Sequence, residues 1–223
     1  MKAVIFDMDG VIVDSEKLWS QAEREVFGSL GVQVTNDLSI LTQSMTTAEV
    51  TKFWYERFPW LHKSEEEVEQ MVIARVIELI NEEDCVISGI KNFMEKITKE
   101  GFKIGVATNS PYNIIPAVLR KANILHLVDT ISSAEFEENG KPQPDVYLSA
   151  LKKLNLTADQ CIAIEDSNSG IKAAKTAGLK VIAFSKYSSM IVEETYLEVQ
   201  SFEDIDFKLL HITQPISNST ARS

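Results

Sequence analysis

From residue 88 to 184 the chain alternates short apolar runs with longer stretches of helical periodicity, and this rhythm restricts the fold more than any other feature. Residues 89–100, 113–122, 144–154 and 168–177 read as helices; residues 103–107, 127–131, 161–164 and 181–184 read as strands. Repeated alternation of this kind predicts an α/β fold built on an open parallel sheet with right-handed crossovers. Pro116 fits only if its helix starts near Asn113, so that the ring falls in the first turn. One more apolar run, residues 3–6, is continuous rather than alternating, which suits a strand covered on both faces.

That first strand runs into Asp7-Met8-Asp9-Gly10. Side chains alternate along an extended backbone, so Asp7 and Asp9 are expected on one side and Met8 on the other, with Gly10 permitting a sharp turn. Two carboxylates held together at pH 7 repel, and burying either unpaired raises its pKa or destabilises the fold. A hard divalent cation resolves the conflict, and oxygen ligands without Cys or His favour Mg²⁺. An ionised aspartate is also a nucleophile that needs no base to activate it. Asp-x-Asp-Gly alone would equally describe an acidic surface turn.

In open parallel sheets ligands bind beyond the carboxyl ends of the strands. Polar residues stand at two more strand ends: Thr108 and Asn109 after 105–107, and Glu165 and Asp166 after 162–164. Three strand ends with matching chemistry argue for one site more strongly than any motif alone.

Residues 15–84 break the α/β rhythm. Residues 16–29, 46–58 and 64–81 read as helices; Asp14 or Ser15 could cap the first, and Ser64 with Glu67 forms a capping box for the last. Trp54, Tyr55, Phe58 and Trp60 are expected to form an aromatic core between these helices.

The net charge of −11 opposes attraction to a phosphate backbone, so nucleic acid is not an expected partner. Any phosphate site therefore needs local cations or backbone N–H groups to invert the field. Cys85 and Cys161 form no metal or redox spacing. No apolar run approaches a membrane span and no signal segment opens the chain, so no membrane partner and a cytoplasmic location are expected; a monomer is the separate expectation for its assembly. Residues 211–223 are polar, lack periodicity and read as loose.

The string Phe-Asp-Met-Asp-Gly-Val-Ile-Val-Asp-Ser-Glu at residues 6–16 resembles the first motif of the haloacid dehalogenase superfamily, in particular its sugar-phosphate phosphatase and β-phosphoglucomutase branch. Thr108 resembles the second motif, Lys141 in Asn-Gly-Lys-Pro-Gln-Pro-Asp the third, and Glu165-Asp166-Ser167-Asn168-Ser169-Gly170 the fourth. The resemblance implies a Rossmann-like open parallel sheet, residues 1–14 and 85–223, with an inserted all-helical cap, residues 15–84. It also implies an Mg²⁺-dependent phosphatase of a small phosphorylated sugar or polyol, working through an aspartyl phosphate. Asp7 would be the nucleophile and Asp9 the acid and base. Thr108, Asn109 and Lys141 would bind the phosphoryl group, and Asp7, Asp9, Asp166 and Glu165 would hold the metal, Glu165 either directly or through a second sphere. The strings at residues 15–19 and 53–60 look like those of bacterial hexose and hexitol phosphatases. A phosphosugar mutase is the alternative, but related mutases carry histidine where this chain has Trp19. A non-catalytic phosphometabolite-binding module is a third reading. Relatives usually show a Gly-x-Arg element where residues 44–46 read Ser-Met-Thr; Lys52, Arg57 and Arg75 are the cap cations that could replace it.

Overall fold

The structure, a computed structural model, describes residues 1–42, 45–185 and 193–211. Strand Ala3–Phe6 (β1) shows what organises it. All four residues are fully buried, Val4 and Phe6 in an apolar cluster on one face of the sheet and Ala3 and Ile5 in a second cluster on the other. Burying a side chain such as Phe6 or Ile5 stabilises by roughly 1.5–3 kcal/mol, so a polar residue here would be costly.

Five further strands complete the sheet: Lys103–Thr108 (β2), Thr130–Ser133 (β3), Cys161–Glu165 (β4), Lys180–Phe184 (β5) and Leu197–Val199 (β6). Their order is β3-β2-β1-β4-β5-β6, and every pairing is parallel. Ala3 lies opposite Lys103 on one side and Cys161 on the other. The chain winds outward from β1 through β2 and β3, then returns to lay β4 against β1. This reversal opens the crevice in which such sheets bind ligands.

Between β1 and β2 run helices Glu16–Ser29 (α1), Asn36–Ser39 (α2), Thr47–Arg57 (α3), Glu65–Glu82 (α4) and Ile90–Lys99 (α5). Capping boxes start α3, through Thr46 and Glu49, and α4, through Ser64 and Glu67 as the sequence predicts. Trp54 and Trp60 are buried against Phe27 of α1 at centroid distances of 6.0 and 5.9 Å, while Phe58 is partly exposed. The segments on either side of α1–α4 lie together: Asp14 N–H donates to Cys85 O at 2.8 Å and Ile87 N–H to Ile12 O at 2.9 Å. Beyond β2 come Ile115–Lys121 (α6), Asp145–Leu154 (α7), Asn168–Thr176 (α8) and Phe207–His211 (α9). Helices α7 and α8 cover the Ala3 and Ile5 face, and Pro116 sits in the first turn of α6, where its missing N–H costs nothing.

Two features of the sheet differ from the sequence expectation. Strand β3 starts at Thr130, not 127, because residues Leu125–Leu127 form a 3₁₀ turn whose Leu127 rests on the core. Asp129 then joins the turn to β2, donating its N–H to Ile104 O at 2.8 Å and accepting from Ile104 N–H at 2.7 Å. Strand β6 is a three-residue edge strand too short to leave a periodic signature. The expectation of a loose end lies outside the described residues from 212 onward. Among the described residues no helix is long and apolar enough to cross a membrane.

One charge on α1 carries a testable cost. Burial pushes the Glu23 carboxyl up to about 7. A folded-state pKa above the unfolded one gives stability that is complete below about 4.5 and lost as pH rises through about 7. Glu23→Gln is therefore expected to raise the melting temperature at pH 8 and to leave it nearly unchanged at pH 4, as calorimetry at the two pH values would show.

Candidate active site

The carboxyl ends of β1 and β4 bring three acids together. Asp7 follows β1, Glu165 ends β4 and Asp166 follows it, and one carboxylate oxygen from each lies within 4.8 Å of the others. Asp7 is locked to β4 by its backbone, whose N–H donates to Ile164 O at 2.9 Å. Two glycines make room for the acids. A Cβ on Gly10 would stand 1.8 Å from Asp166 Oδ2, and one on Gly170 would stand 2.1 Å from the Glu165 carboxylate. Gly10 also has φ +78°, a backbone region that side chains disfavour.

Lys141 supplies the cation at the centre. Its Nζ donates to Asp7 Oδ1 at 2.7 Å and to Glu165 Oε1 at 2.6 Å, in a setting that buries all three side chains. Tyr147 on α7, fully buried, donates its hydroxyl to the same Glu165 oxygen at 2.5 Å. Burial, then the charge of Glu165, raises the Asp7 carboxyl well above the usual range, although Lys141 opposes the shift. Burial and Glu165 likewise push Asp166 up to about 7. Burial pulls the Lys141 ammonium down, but Asp7 and Glu165 outweigh it and hold the group above its ordinary value. Three acids against one ammonium leave negative charge in a buried place, and the raised carboxyls report that excess. An all-oxygen donor set with surplus negative charge fits a hard divalent cation such as Mg²⁺, with Asp7, Asp166 and Glu165 as the groups to hold it.

Asp9 lies beside this cluster without joining it, and its charge adds to the rise of Asp7 and Asp166. Strand β1 ends at Phe6 and the chain turns at once, with Ile12 N–H donating to Met8 O at 2.8 Å and Gly10 N–H to Val13 O at 2.7 Å. The period of two therefore stops before residue 9, and the Asp9 carboxylate is not one of the three clustered acids. It accepts instead from Ser110 Oγ at 2.5 Å, Trp19 Nε1 at 3.2 Å, Thr108 Oγ1 at 3.4 Å and the Ser15 hydroxyl. Ser15 precedes α1 but makes no side-chain cap, because its hydroxyl serves Asp9.

Thr108 accepts from Ser110 N–H at 3.0 Å, which folds the turn after β2. Asn109 ties that turn to the Lys141 loop from both sides. Its Oδ1 accepts from Lys141 N–H at 2.8 Å and its Nδ2 donates to Lys141 O at 3.3 Å. All seven residues picked out in the sequence thus occupy one region, Thr108 and Asn109 acting on Asp9 and Lys141. Sequence reasoning missed Ser110 and Tyr147 as parts of it, and named Trp19 only as the residue standing in place of a mutase histidine. Tyr147 left a signal, a hydroxyl on the apolar stripe of α7, which in a core demands a partner.

Gly170→Ala is expected to cost about 1–3 kcal/mol in stability, because Lys141 and Tyr147 pin the carboxylate that the new methyl would strike. Urea unfolding in the presence of a chelator would measure the loss.

Above Lys141 lies a cleft of about 760 Å³, walled by the start of α3, by α4 and by the loops that carry Asn109 and Lys141.

A sequence profile of the family described as haloacid dehalogenase-like hydrolase matches residues 4–184. Hexitol phosphatase B of Escherichia coli (strain K12) is 37% identical over 182 residues, 81% of this chain and 82% of that protein. The phosphorylated carbohydrates phosphatase of Thermotoga maritima is 31% identical over 82% of this chain and 84% of its own length. Among solved structures, a beta-phosphoglucomutase from Clostridium difficile superposes with a TM-score of 0.80 at 26% identity, covering 95% of this chain and 96% of that one.

Proposed function

The chain belongs to the haloacid dehalogenase-like hydrolases, and from that premise we propose that it is an Mg²⁺-dependent phosphatase of a small phosphorylated sugar or polyol. The observation that carries this reading is the Lys141 ammonium bridging Asp7 and Glu165 at the ends of β1 and β4. It gives a buried aspartate a cationic neighbour at the place where a phosphoryl group would dock. The names of the E. coli and T. maritima relatives, a hexitol phosphatase and a carbohydrate phosphatase, support the substrate class.

Asp7 attacks phosphorus in line and the ester oxygen leaves, giving an aspartyl phosphate and a free alcohol. Lys141 stabilises charge on the phosphoryl oxygens, and Thr108 with the backbone N–H of Asn109 orients them. Asp9 gives the leaving alcohol its proton, then takes one from the water that hydrolyses the aspartyl phosphate. The hydroxyls of Ser15 and Ser110 and the Trp19 indole N–H hold its carboxylate for that work. A bound Mg²⁺, held by Asp7, Asp166 and Glu165, supplies positive charge that relieves repulsion between the acids and the incoming phosphate. Residues 15–84 form the cap that excludes water from the strand ends, attached through the paired segments at Asp14 and Cys85.

A phosphate-release screen over sugar, polyol and nucleotide monophosphates, with and without Mg²⁺, tests this. Release that requires Mg²⁺ and favours sugar or polyol esters is expected; conversion of β-glucose 1-phosphate to the 6-phosphate with little free phosphate would show a mutase instead.

A further inference from the structure

We propose that the cleft above Lys141 selects phosphate esters whose alcohol half is uncharged and rich in hydroxyls, and rejects substrates that carry a second anionic group. The proposal rests on the phosphatase reading above and narrows its substrate class.

The cleft is acidic on both walls. Glu49 stands at the start of α3, Glu66 and Glu69 on α4, and Glu135, Glu137 and Glu138 on the loop after β3, while Lys141 is the one cationic side chain among the described lining residues. The walls are close enough that Glu135 and Glu66 add to burial in raising the Glu69 carboxyl. The Lys141 ammonium is buried against Asp7 and Glu165 at the floor of the site, so it does not offset the glutamates on the walls. A phosphoryl group docked beside Asp7 engages that ammonium, and a second phosphate or a carboxylate farther along the substrate would meet glutamates.

Two backbone donors in this region are already satisfied by the walls themselves. At the start of α3, Thr46 N–H donates to Glu49 Oε2 at 2.7 Å, so the helix end that would attract an anion holds its own carboxylate. Tyr112 N–H donates to Glu135 Oε2, also at 2.7 Å. The cap cations suggested by the sequence do not line the cleft. Lys52 pairs with Glu56 at 4.0 Å, Arg57 lies over the Phe53 ring, and Arg75 binds Glu25 at 2.6 Å and Glu78 at 2.9 Å. Gln70, Asn113 and Gln143 do line it, and neutral amides both donate to and accept from hydroxyls. Glutamates accept from hydroxyls as readily as they repel anions. The wall chemistry therefore favours a polyol chain and discriminates by repulsion.

The test compares sorbitol 6-phosphate and glucose 6-phosphate with glucose 1,6-bisphosphate and 6-phosphogluconate, at low ionic strength with Mg²⁺. We expect kcat/KM at least about tenfold lower for the two substrates with a second anionic group, chiefly through KM, because that group faces like charges across the cleft and repulsion is strong in low salt. The gap should narrow in 0.5 M NaCl, where the screening length falls to about 4 Å. It should narrow again in the Glu66→Gln, Glu138→Gln double variant, whose changes lie on exposed residues. Equal kcat/KM for mono- and bis-anionic substrates would overturn the proposal, as would a gap that neither salt nor the double variant moves. Calorimetric affinities of the same four compounds test the cleft without turnover. Absence of phosphate release from every ester would refute the phosphatase reading, whereas release without discrimination would refute only this one.

Discussion

Asp7→Asn is expected to abolish phosphate release, by at least about 10³-fold, while the protein stays folded. The amide is nearly the same size and keeps one oxygen, so the backbone bond from residue 7 to Ile164 and the packing of β1 are untouched. An amide is a poor nucleophile towards phosphorus, and the covalent route closes. The cost to the metal-free fold is small or reversed. Asp7 carries its charge under protest, its carboxyl raised by burial and by Glu165, and Lys141 retains Glu165 as a partner. Metal-free Asp7→Asn should therefore melt no lower than the parent chain. Full activity in this variant would reject the assigned nucleophile; a large loss of stability would reject the electrostatic account of the site.

Lys141→Met should act in the opposite sense. Removing the ammonium leaves Asp7, Glu165 and Asp166 facing one another in a buried place with Tyr147 as the remaining donor to Glu165 among these groups. Breaking a buried ion pair by deleting one partner typically costs about 3–5 kcal/mol, and loss of a cation from a transferring phosphoryl group costs at least about 10²-fold in kcat. The destabilisation should depend on pH. Burial and Glu165 raise both Asp7 and Asp166, so their folded-state protonation favours the native protein at low pH, and the share carried by Asp166, pushed up to about 7, is lost as pH rises through that value. The deficit of the metal-free variant should thus be largest near pH 8 and shrink towards pH 5, as urea unfolding in the presence of a chelator would show.

How much of this was legible beforehand follows from the range of each signal. Local periodicity placed α1, α3, α4 and α7 within about a residue or two, because an amphipathic stripe and a capping box are written in neighbouring letters. The strand-end rule placed Asp7, Thr108, Glu165 and Asp166 in one crevice, since a parallel sheet aligns its carboxyl ends whatever the loops do. Side-chain direction was legible only while the backbone stayed regular. At Asp9 the turn after Phe6 intervened, and its carboxylate went to Ser110 and Trp19. The excess of acids called for a cation, which Lys141 supplies, but the partner of Tyr147 was not legible, because that contact joins residues whose separation in sequence says nothing of their distance. The sign of the cleft depends on Glu66 and Glu135 meeting across it, which no local pattern encodes.

Because β1 sits between β2 and β4, it must wait for residues around Cys161 to be made before its second edge is covered. Until then a strand of four apolar residues has an open flank, the kind of surface that chaperones and neighbouring nascent chains bind. Pairings so distant in sequence also form slowly. The arrangement that seats the acids at the middle of the sheet thereby makes this chain's biogenesis sensitive to translation that stalls before β4 is made.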